Sequence, residues 1–237
     1  MPPEPYRIAY AFLLANGDTE CFDLAMDAAT LELATPPPAM LPAWTALSFR
    51  QCPHCPLDLA TEPCCPVATN LAPLVQRLDH LVSYDTVTLE VTTAERQVRQ
   101  QTTAQRALGS LMGLLIAVSR CPHTHFFKPM ARFHLPLATE EETAYRAAAN
   151  FLLAHYFMNS GEKPADAVLT GLTTVYRNIQ IINQAMADRL RAASESDSSV
   201  NAIVLLDMYA KGMSYLVNKD LEEIRQLFLP YLRLEGK

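Results

Sequence analysis

Four of the six cysteines in this 237-residue chain are followed directly by proline, and this pattern restricts the fold more than any other sequence feature. The four are Cys52, Cys55, Cys65 and Cys121. Proline fixes the backbone angle φ and lacks an N–H donor, so a regular helix or strand rarely continues through such a position. We therefore expect each of these cysteines to lie in a turn, where sulfur atoms from distant parts of the chain can converge.

The spacing of these cysteines is typical of a metal site. Cys52 and Cys55 form a Cys-x-x-Cys pair, in which two thiolates can bind one ion without distortion of the backbone. A tetrahedral site needs two further ligands, and Cys65 and Cys121 are predicted to supply them because they share the Cys-Pro signature. The substitutes for these two are Cys64 and His123. Such a site would join the segment near residue 52 to the end of a predicted helix near residue 120.

Zinc is the first choice for the metal, because closed sites with four cysteine ligands usually hold zinc. An iron–sulfur cluster is the alternative. Pro56 stands after the second cysteine, where a zinc site usually has glycine, and proline follows a cluster cysteine in some ferredoxin motifs. Thiol redox centres also use Cys-x-x-Cys, but residues 57–63 are too short, and too closely bounded by prolines, for the helix of such a centre. Without metal, cysteines pack as small apolar residues, as we expect for Cys21.

The predicted function is metal binding at a structural or regulatory site, and the alternative is a redox sensor or enzyme that uses the same cysteines. No catalytic residues are predicted, because the sequence contains no Gly-x-Ser-x-Gly motif, no phosphate-binding glycine loop and no His-Glu-x-x-His motif. An enzyme is therefore the less favoured class. Residues 140–142 are acidic because they begin a helix, where carboxylates interact favourably with the helix dipole.

Composition favours a folded chain and excludes several classes of partner. Half of the residues are hydrophobic, and seventeen prolines against seven glycines indicate fixed turns. The net charge of −6 argues against nucleic acid as a partner, because no basic surplus is available to neutralise phosphates. Residues 111–118 are too short to cross a bilayer, and residues 1–6 lack the basic start of a secretory signal. We therefore expect a cytoplasmic protein, in which clustered cysteines seldom form disulfides.

Alternating apolar residues predict antiparallel hairpins in the first hundred residues. One face of the first strand carries Tyr6, Ile8, Tyr10, Phe12 and Leu14. Asn16-Gly17 is a strong hairpin turn signal, and the register of the return strand places Cys21 on its outward face. Further strands are expected at residues 46–50, 87–91 and 96–100.

Helical periodicity and capping residues predict that the remainder is mainly helical. The candidate helix starts are Asn70, Thr102 with Gln105, Thr139 with Glu142, Pro164, and Asp220 with Glu223. The solvent-facing side of one helix is expected to carry Asn178, Gln180, Asn183 and Gln184. We therefore predict an α+β fold in which antiparallel β-hairpins of the N-terminal part pack against a mainly helical C-terminal part. Residues 1–135 would form the β-rich portion with the cysteine site and residues 136–237 the helical portion, within one compact unit.

Three histidines close to the cysteines offer a second, nitrogen-rich site. They are His123, His125 and His134. Histidine is more often packed or surface-exposed than a ligand, and we expect this for His125 and His134. The helical half is expected to present a surface to a protein partner, and nothing in the sequence fixes the oligomeric state.

Four short motifs resemble those of a family of bacterial proteins described only as a domain of unknown function. The motifs are Cys52-Pro-His-Cys-Pro, Cys65-Pro-Val-Ala-Thr-Asn-Leu, Ser119-Arg-Cys-Pro-His-Thr and Arg132-Phe-His-Leu-Pro. The resemblance runs from about residue 45 to the C-terminus. It implies a bacterial, soluble, stand-alone protein and no particular activity.

Overall fold

The computed structural model describes residues 4–158, 170–193, 197–219 and 224–230. Its N-terminal part contains a four-stranded antiparallel sheet with the strand order β2-β1-β3-β4. The strands are β1 (Tyr6–Leu14), β2 (Thr19–Met26), β3 (Thr86–Thr93) and β4 (Gln97–Thr103). The turn between β1 and β2 requires Gly17, whose φ of 91° is unfavourable for residues with a side chain. The two predicted hairpins are therefore confirmed. Cys21 lies on the exposed face of β2, so the expectation that it packs as a small apolar residue is wrong.

Six α-helices follow or interrupt the sheet within the described residues, so the α+β class is confirmed. They are α1 (Pro66–Leu78), α2 (Ala104–Ala117), α3 (Lys128–Arg132), α4 (Glu140–Met158), α5 (Thr170–Ala193) and α6 (Ser198–Lys219). Short 3₁₀ helices lie at Ala43–Thr45 and Pro122–Phe127. The apolar helix α2 is central, with Leu108, Leu111 and Met112 fully buried. One continuous cluster of buried side chains extends from Ile8 in β1 to Ala210 in α6.

The start of α1 differs from the prediction. Asn70 is not the cap but lies inside the helix, where its Nδ2 donates a hydrogen bond of 3.0 Å to the Leu115 carbonyl of α2. The cap is Cys65, with Pro66 as the first helical residue. Proline suits that position because its missing N–H would have no partner there in any case. The Cys-Pro pair therefore starts a helix as well as interrupting the segment before it.

Other predicted boundaries have mixed outcomes. The capping box of Thr139 and Glu142 is confirmed by reciprocal hydrogen bonds of 2.8 and 3.1 Å. The capping box at Thr102 is wrong, since Thr103 is the cap of α2 and makes no side-chain capping bond. Residues 46–50 form a turn with one isolated bridge in place of a strand. The predicted helix starts at Pro164 and at Asp220 with Glu223 lie outside the described residues.

Candidate metal centre

Three segments of the chain position the four Cys-Pro cysteines. Cys52 and Cys55 lie in a turn that is closed by a 3.0 Å hydrogen bond from the Cys55 N–H to the Cys52 carbonyl. Cys65 caps α1, and its N–H donates to the Thr45 carbonyl at 2.8 Å. Cys121 caps the 3₁₀ helix that follows α2. Proline restricts the backbone of each of these turns, so their local conformation is determined by the sequence. The position of the three segments relative to one another is determined by packing of the core.

The four thiols share one buried neighbourhood. Burial raises the pKa of Cys52 to about 12, and negative charge on Cys65, Cys121 or Cys55 raises it further. Burial likewise raises the pKa of Cys121 to about 11, with Cys65 and Cys55 acting in the same direction. Burial is also the main cause that raises the pKa of Cys65. Because the effect of a charge weakens with distance, these influences indicate that the four cysteines selected from sequence lie in one region of the fold.

The starts of two helices lie against these sulfur atoms. Backbone N–H groups of Ala68 and Val67 favour the thiolate of Cys65, and those of His123 and Thr124 favour the thiolate of Cys121. Neither cysteine side chain makes a capping hydrogen bond, so these N–H groups favour the thiolates because they lie close to the sulfur atoms. Helix N-termini are known to lower thiol pKa values. At Cys65 and Cys121 burial outweighs this effect, so the pKa of each thiol is raised.

Arg189 of α5 is the residue of this site that sequence reasoning missed. Its side chain is 1% exposed, and its guanidinium donates hydrogen bonds of 2.6, 2.8 and 3.2 Å to three backbone carbonyls. The acceptors are Trp44, Ala46 and Leu47. No carboxylate of the described residues forms a salt bridge with it. Burial lowers the pKa of Arg189, and the groups that raise it are Cys65, Cys52 and Cys55. The sequence carries no signal for this role, because α5 places the arginine by packing against a distant loop.

The two substitute ligands lie in different places. Cys64 pairs through its backbone with Ala46 and is not among the groups that act on the pKa values of Cys52, Cys65 or Cys121. His123 is closer to the cluster, since its Nε2 donates a 3.0 Å hydrogen bond to the His54 carbonyl in the Cys-x-x-Cys turn. The rings of His54 and His123 also stack, with centroids 4.1 Å apart.

The other histidines do not form a second site with His123. His125 is exposed. His134 is instead hydrogen-bonded through its Nε2 to the Tyr10 hydroxyl, which also lies 3.1 Å from Ser110 Oγ of α2. Burial lowers the pKa of His134 to about 3, so its ring is neutral. The expectation that His125 and His134 are surface or packed residues therefore agrees with the structure.

The side chains are not already arranged as a coordination sphere. In the part of the chain that the structure describes, no group of three or more His, Cys, Asp or Glu residues is placed so as to hold a metal ion. A zinc–thiolate site needs Zn–S distances of about 2.3 Å, so rotation of the cysteine side chains would have to precede binding. The donor set itself fits the chemistry, because all six cysteines are free thiols and three of the four predicted ligands, Cys52, Cys55 and Cys65, act on the buried cation Arg189.

The chain belongs to a family described as a domain of unknown function (DUF6901), which matches residues 8–229. No curated protein and no solved structure matches the chain. Among the described residues, no helix combines the length and the apolar character needed to cross a membrane. The description of the family names no activity, so function has to be inferred from the site itself.

Proposed function

We propose that this member of the DUF6901 family binds a metal ion through Cys52, Cys55, Cys65 and Cys121, and that the site is structural or regulatory. The observation that supports this most strongly is the electrostatic influence among four cysteines from three segments, of which Cys65 and Cys121 are buried and Cys52 and Cys55 half-buried. Zinc is the proposed metal, since it is redox-inert and prefers four sulfur ligands in closed sites. The metal would tie the turn before α1 to the end of α2.

The buried guanidinium of Arg189 supports an anionic centre. An isolated buried charge is costly, and neutral thiols cannot compensate it. Four thiolates with one Zn²⁺ carry two net negative charges, and Arg189 beside Cys52 and Cys65 compensates one of them. Metal binding thus gives both the thiolates and the arginine a partner of opposite charge.

A thiol redox centre is the weaker alternative. Such centres need a thiolate near neutral pH, which requires a lowered thiol pKa. The pKa values of Cys52, Cys65 and Cys121 are instead raised by burial. An iron–sulfur cluster uses the same four cysteines and is distinguished from zinc by the content of iron and sulfide and by colour.

Elemental analysis and an absorption spectrum of protein purified without oxygen test the proposal directly. We expect about one zinc ion per chain and no visible colour. Brown protein that contains iron and sulfide would show that an iron–sulfur cluster, and not zinc, is bound by the same residues. Wild-type protein that holds neither metal, even after zinc is added under reducing conditions, would contradict metal binding altogether.

Serine variants assign the metal to its ligands. Cys52→Ser combined with Cys55→Ser is expected to abolish zinc binding and to unfold the protein or lower its Tm strongly, because structural zinc contributes on the order of 10 kcal/mol. Cys21→Ser and Cys64→Ser are the matched controls, since neither cysteine acts on the cluster, and both should keep the metal. If the double variant does not fold, stoichiometric release of zinc by a thiol-blocking reagent from the wild type provides the second measurement.

We further propose a bacterial, cytoplasmic protein with a protein partner. Six free thiols suit a reducing compartment. For the partner, the best described surface is the C-terminal end of α4, where Phe157 and Met158 are 70% and 66% exposed. Large exposed apolar side chains of this kind often mark protein contacts.

A further inference from the structure

A second feature, separate from the cysteines, is a cavity of about 200 Å³ between α2, α5, α6 and the segment 127–146. Its walls are mainly apolar and include Gly113, Leu114, Met130, Ile179 and Leu206. An engineered apolar cavity of about 150 Å³ binds benzene. This cavity is therefore large enough for a ring with a short substituent or for a short alkyl chain.

Asn183 of α5 gives the cavity an unused hydrogen-bond donor. Its side chain is 1% exposed and lines the cavity, and its Nδ2 has no hydrogen-bond partner among the described residues. The expectation that Asn183 faces solvent is therefore wrong, although its neighbour Gln184 is exposed. Buried amide donors are nearly always satisfied in native proteins. An oxygen atom of a bound molecule would supply the missing acceptor.

The charge of the cavity selects an anion. Arg146 and Arg106 both line it, and none of the described lining residues is Asp or Glu. Arg146 is held in place by two 2.8 Å hydrogen bonds from its Nη2 to the carbonyls of Met130 and Phe133. The pKa of Arg146 is lowered by burial and raised by the nearby Tyr176 and Glu142. No carboxylate of the described residues forms a salt bridge with Arg146, so its remaining N–H groups can bind an anion.

His134 and Ser110 line the cavity beside Arg146 without adding charge. The His134 Nε2 and the buried Tyr10 hydroxyl are hydrogen-bonded to each other, and that hydroxyl lies 3.1 Å from Ser110 Oγ. Because these groups satisfy one another, the polar contacts of a ligand are assigned to Arg146 and Asn183. Along α5, Asn183 is separated from Tyr176 by about two helical turns, or roughly 10 Å.

We propose that this cavity binds a small monocarboxylate with an apolar body of about six to ten carbon atoms, whose carboxylate pairs with Arg146 and whose second oxygen, a hydroxyl or carbonyl at the far end of the body, accepts from Asn183. Guanidinium and carboxylate match each other in geometry and charge. The apolar walls accommodate the body of the ligand, in the manner of most small-molecule sites. No metal is involved in this site, so the test of carboxylate binding is independent of the test of metal binding by the cysteines.

Titration calorimetry on the full chain tests the site with 4-hydroxyphenylacetate and 8-hydroxyoctanoate as probes, each of which has a hydroxyl oxygen at the end opposite the carboxylate. We expect one of them to bind with 1:1 stoichiometry and at least tenfold more tightly than its uncharged amide. Inorganic phosphate is the control for simple attraction to arginine and should bind at least tenfold more weakly than the better probe. Absence of binding by both acids at millimolar concentration, or equal binding of acid and amide, would overturn the proposal.

Asn183→Leu and Asn183→Asp separate ligand binding from structure. The leucine variant removes the unpaired donor, so its Tm without ligand should rise while its affinity for the acid falls about 5–10-fold. The aspartate variant places a like charge in the cavity and should abolish binding of the acid. Gln184→Leu, on the exposed side of the same helix, should keep wild-type affinity. Unchanged affinity in the leucine variant would rule out the asparagine contact.

Discussion

Replacement of Arg189 by methionine is the sharpest test of the electrostatics of the cysteine site. Methionine fills most of the volume but leaves the carbonyls of Trp44 and Leu47 without a donor, whereas the Ala46 carbonyl still accepts the Phe49 N–H at 3.1 Å. Each unsatisfied buried carbonyl costs about 1–3 kcal/mol, and relief from burying the charge offsets part of the sum. We therefore expect the free energy of unfolding to fall by about 3–5 kcal/mol. Arg191→Met is the matched control, because Arg191 is half-exposed and its ion pair among the described residues is with Asp188 at 2.9 Å.

A double-mutant cycle then isolates the part of this loss that depends on the thiolates. Arg189→Met is combined with Cys52→Ser, and denaturant unfolding is measured for all four proteins at fixed pH and buffered free zinc. If Arg189 compensates a metal–thiolate centre, the two changes should be coupled by about 1–3 kcal/mol. Losses that simply add to within about 0.5 kcal/mol would show that the arginine acts on the loop carbonyls alone and would refute the charge argument.

Three further predictions concern the fold around the two sites. His134→Gln should reduce the loss of stability on acidification. In the wild type, His134 has a pKa of about 6.5 in the unfolded chain but of about 3 in the native protein, where it lies beside Tyr10 and Arg146. The wild-type free energy of unfolding should therefore fall by up to about 1.4 kcal/mol for each unit by which the pH decreases between these values. Urea unfolding at several pH values between 7 and 4 checks this, and equal slopes in both proteins would contradict it. Gly17→Ala should lower the free energy of unfolding by about 1–2 kcal/mol because of its positive φ, although the added methyl group meets no atom within 4 Å, and thermal unfolding measures the change. Asn70→Ala should cost about 1 kcal/mol in the same assay by removing the hydrogen bond between α1 and α2, and no change would mean that water replaces it.

The strands could be predicted from sequence because their signals are local. Alternation in β1 and the Asn16-Gly17 turn depend on neighbouring residues only, so no knowledge of the rest of the fold was needed. The cysteines were recognisable for a similar reason, since proline after each one restricts its own backbone. The error at Asn70 arose because asparagine is a common helix cap, whereas the cysteine before Pro66 is not.

The polar core could not be predicted, because burial of a polar residue depends on which helix lies against it. Arg189 and Asn183 are both on α5, on a stretch whose sequence is compatible with either an exposed or a buried polar face. Burial is decided by the packing of α5 against α6 and against the loop at Trp44, and the loop contact joins residues 145 positions apart in the chain. The metal hypothesis itself stays a prediction, as does the division into portions 1–135 and 136–237.

The position of Arg189 also bears on how the chain is made. The loop carbonyls at Trp44, Ala46 and Leu47 emerge early from the ribosome, yet the guanidinium that satisfies them is synthesised only after most of the polypeptide. Until α5 has been synthesised, the early segments remain incompletely folded and accessible to chaperones and proteases. Nascent chains that stop before α5 are therefore expected to be degraded quickly, even though they already contain every cysteine.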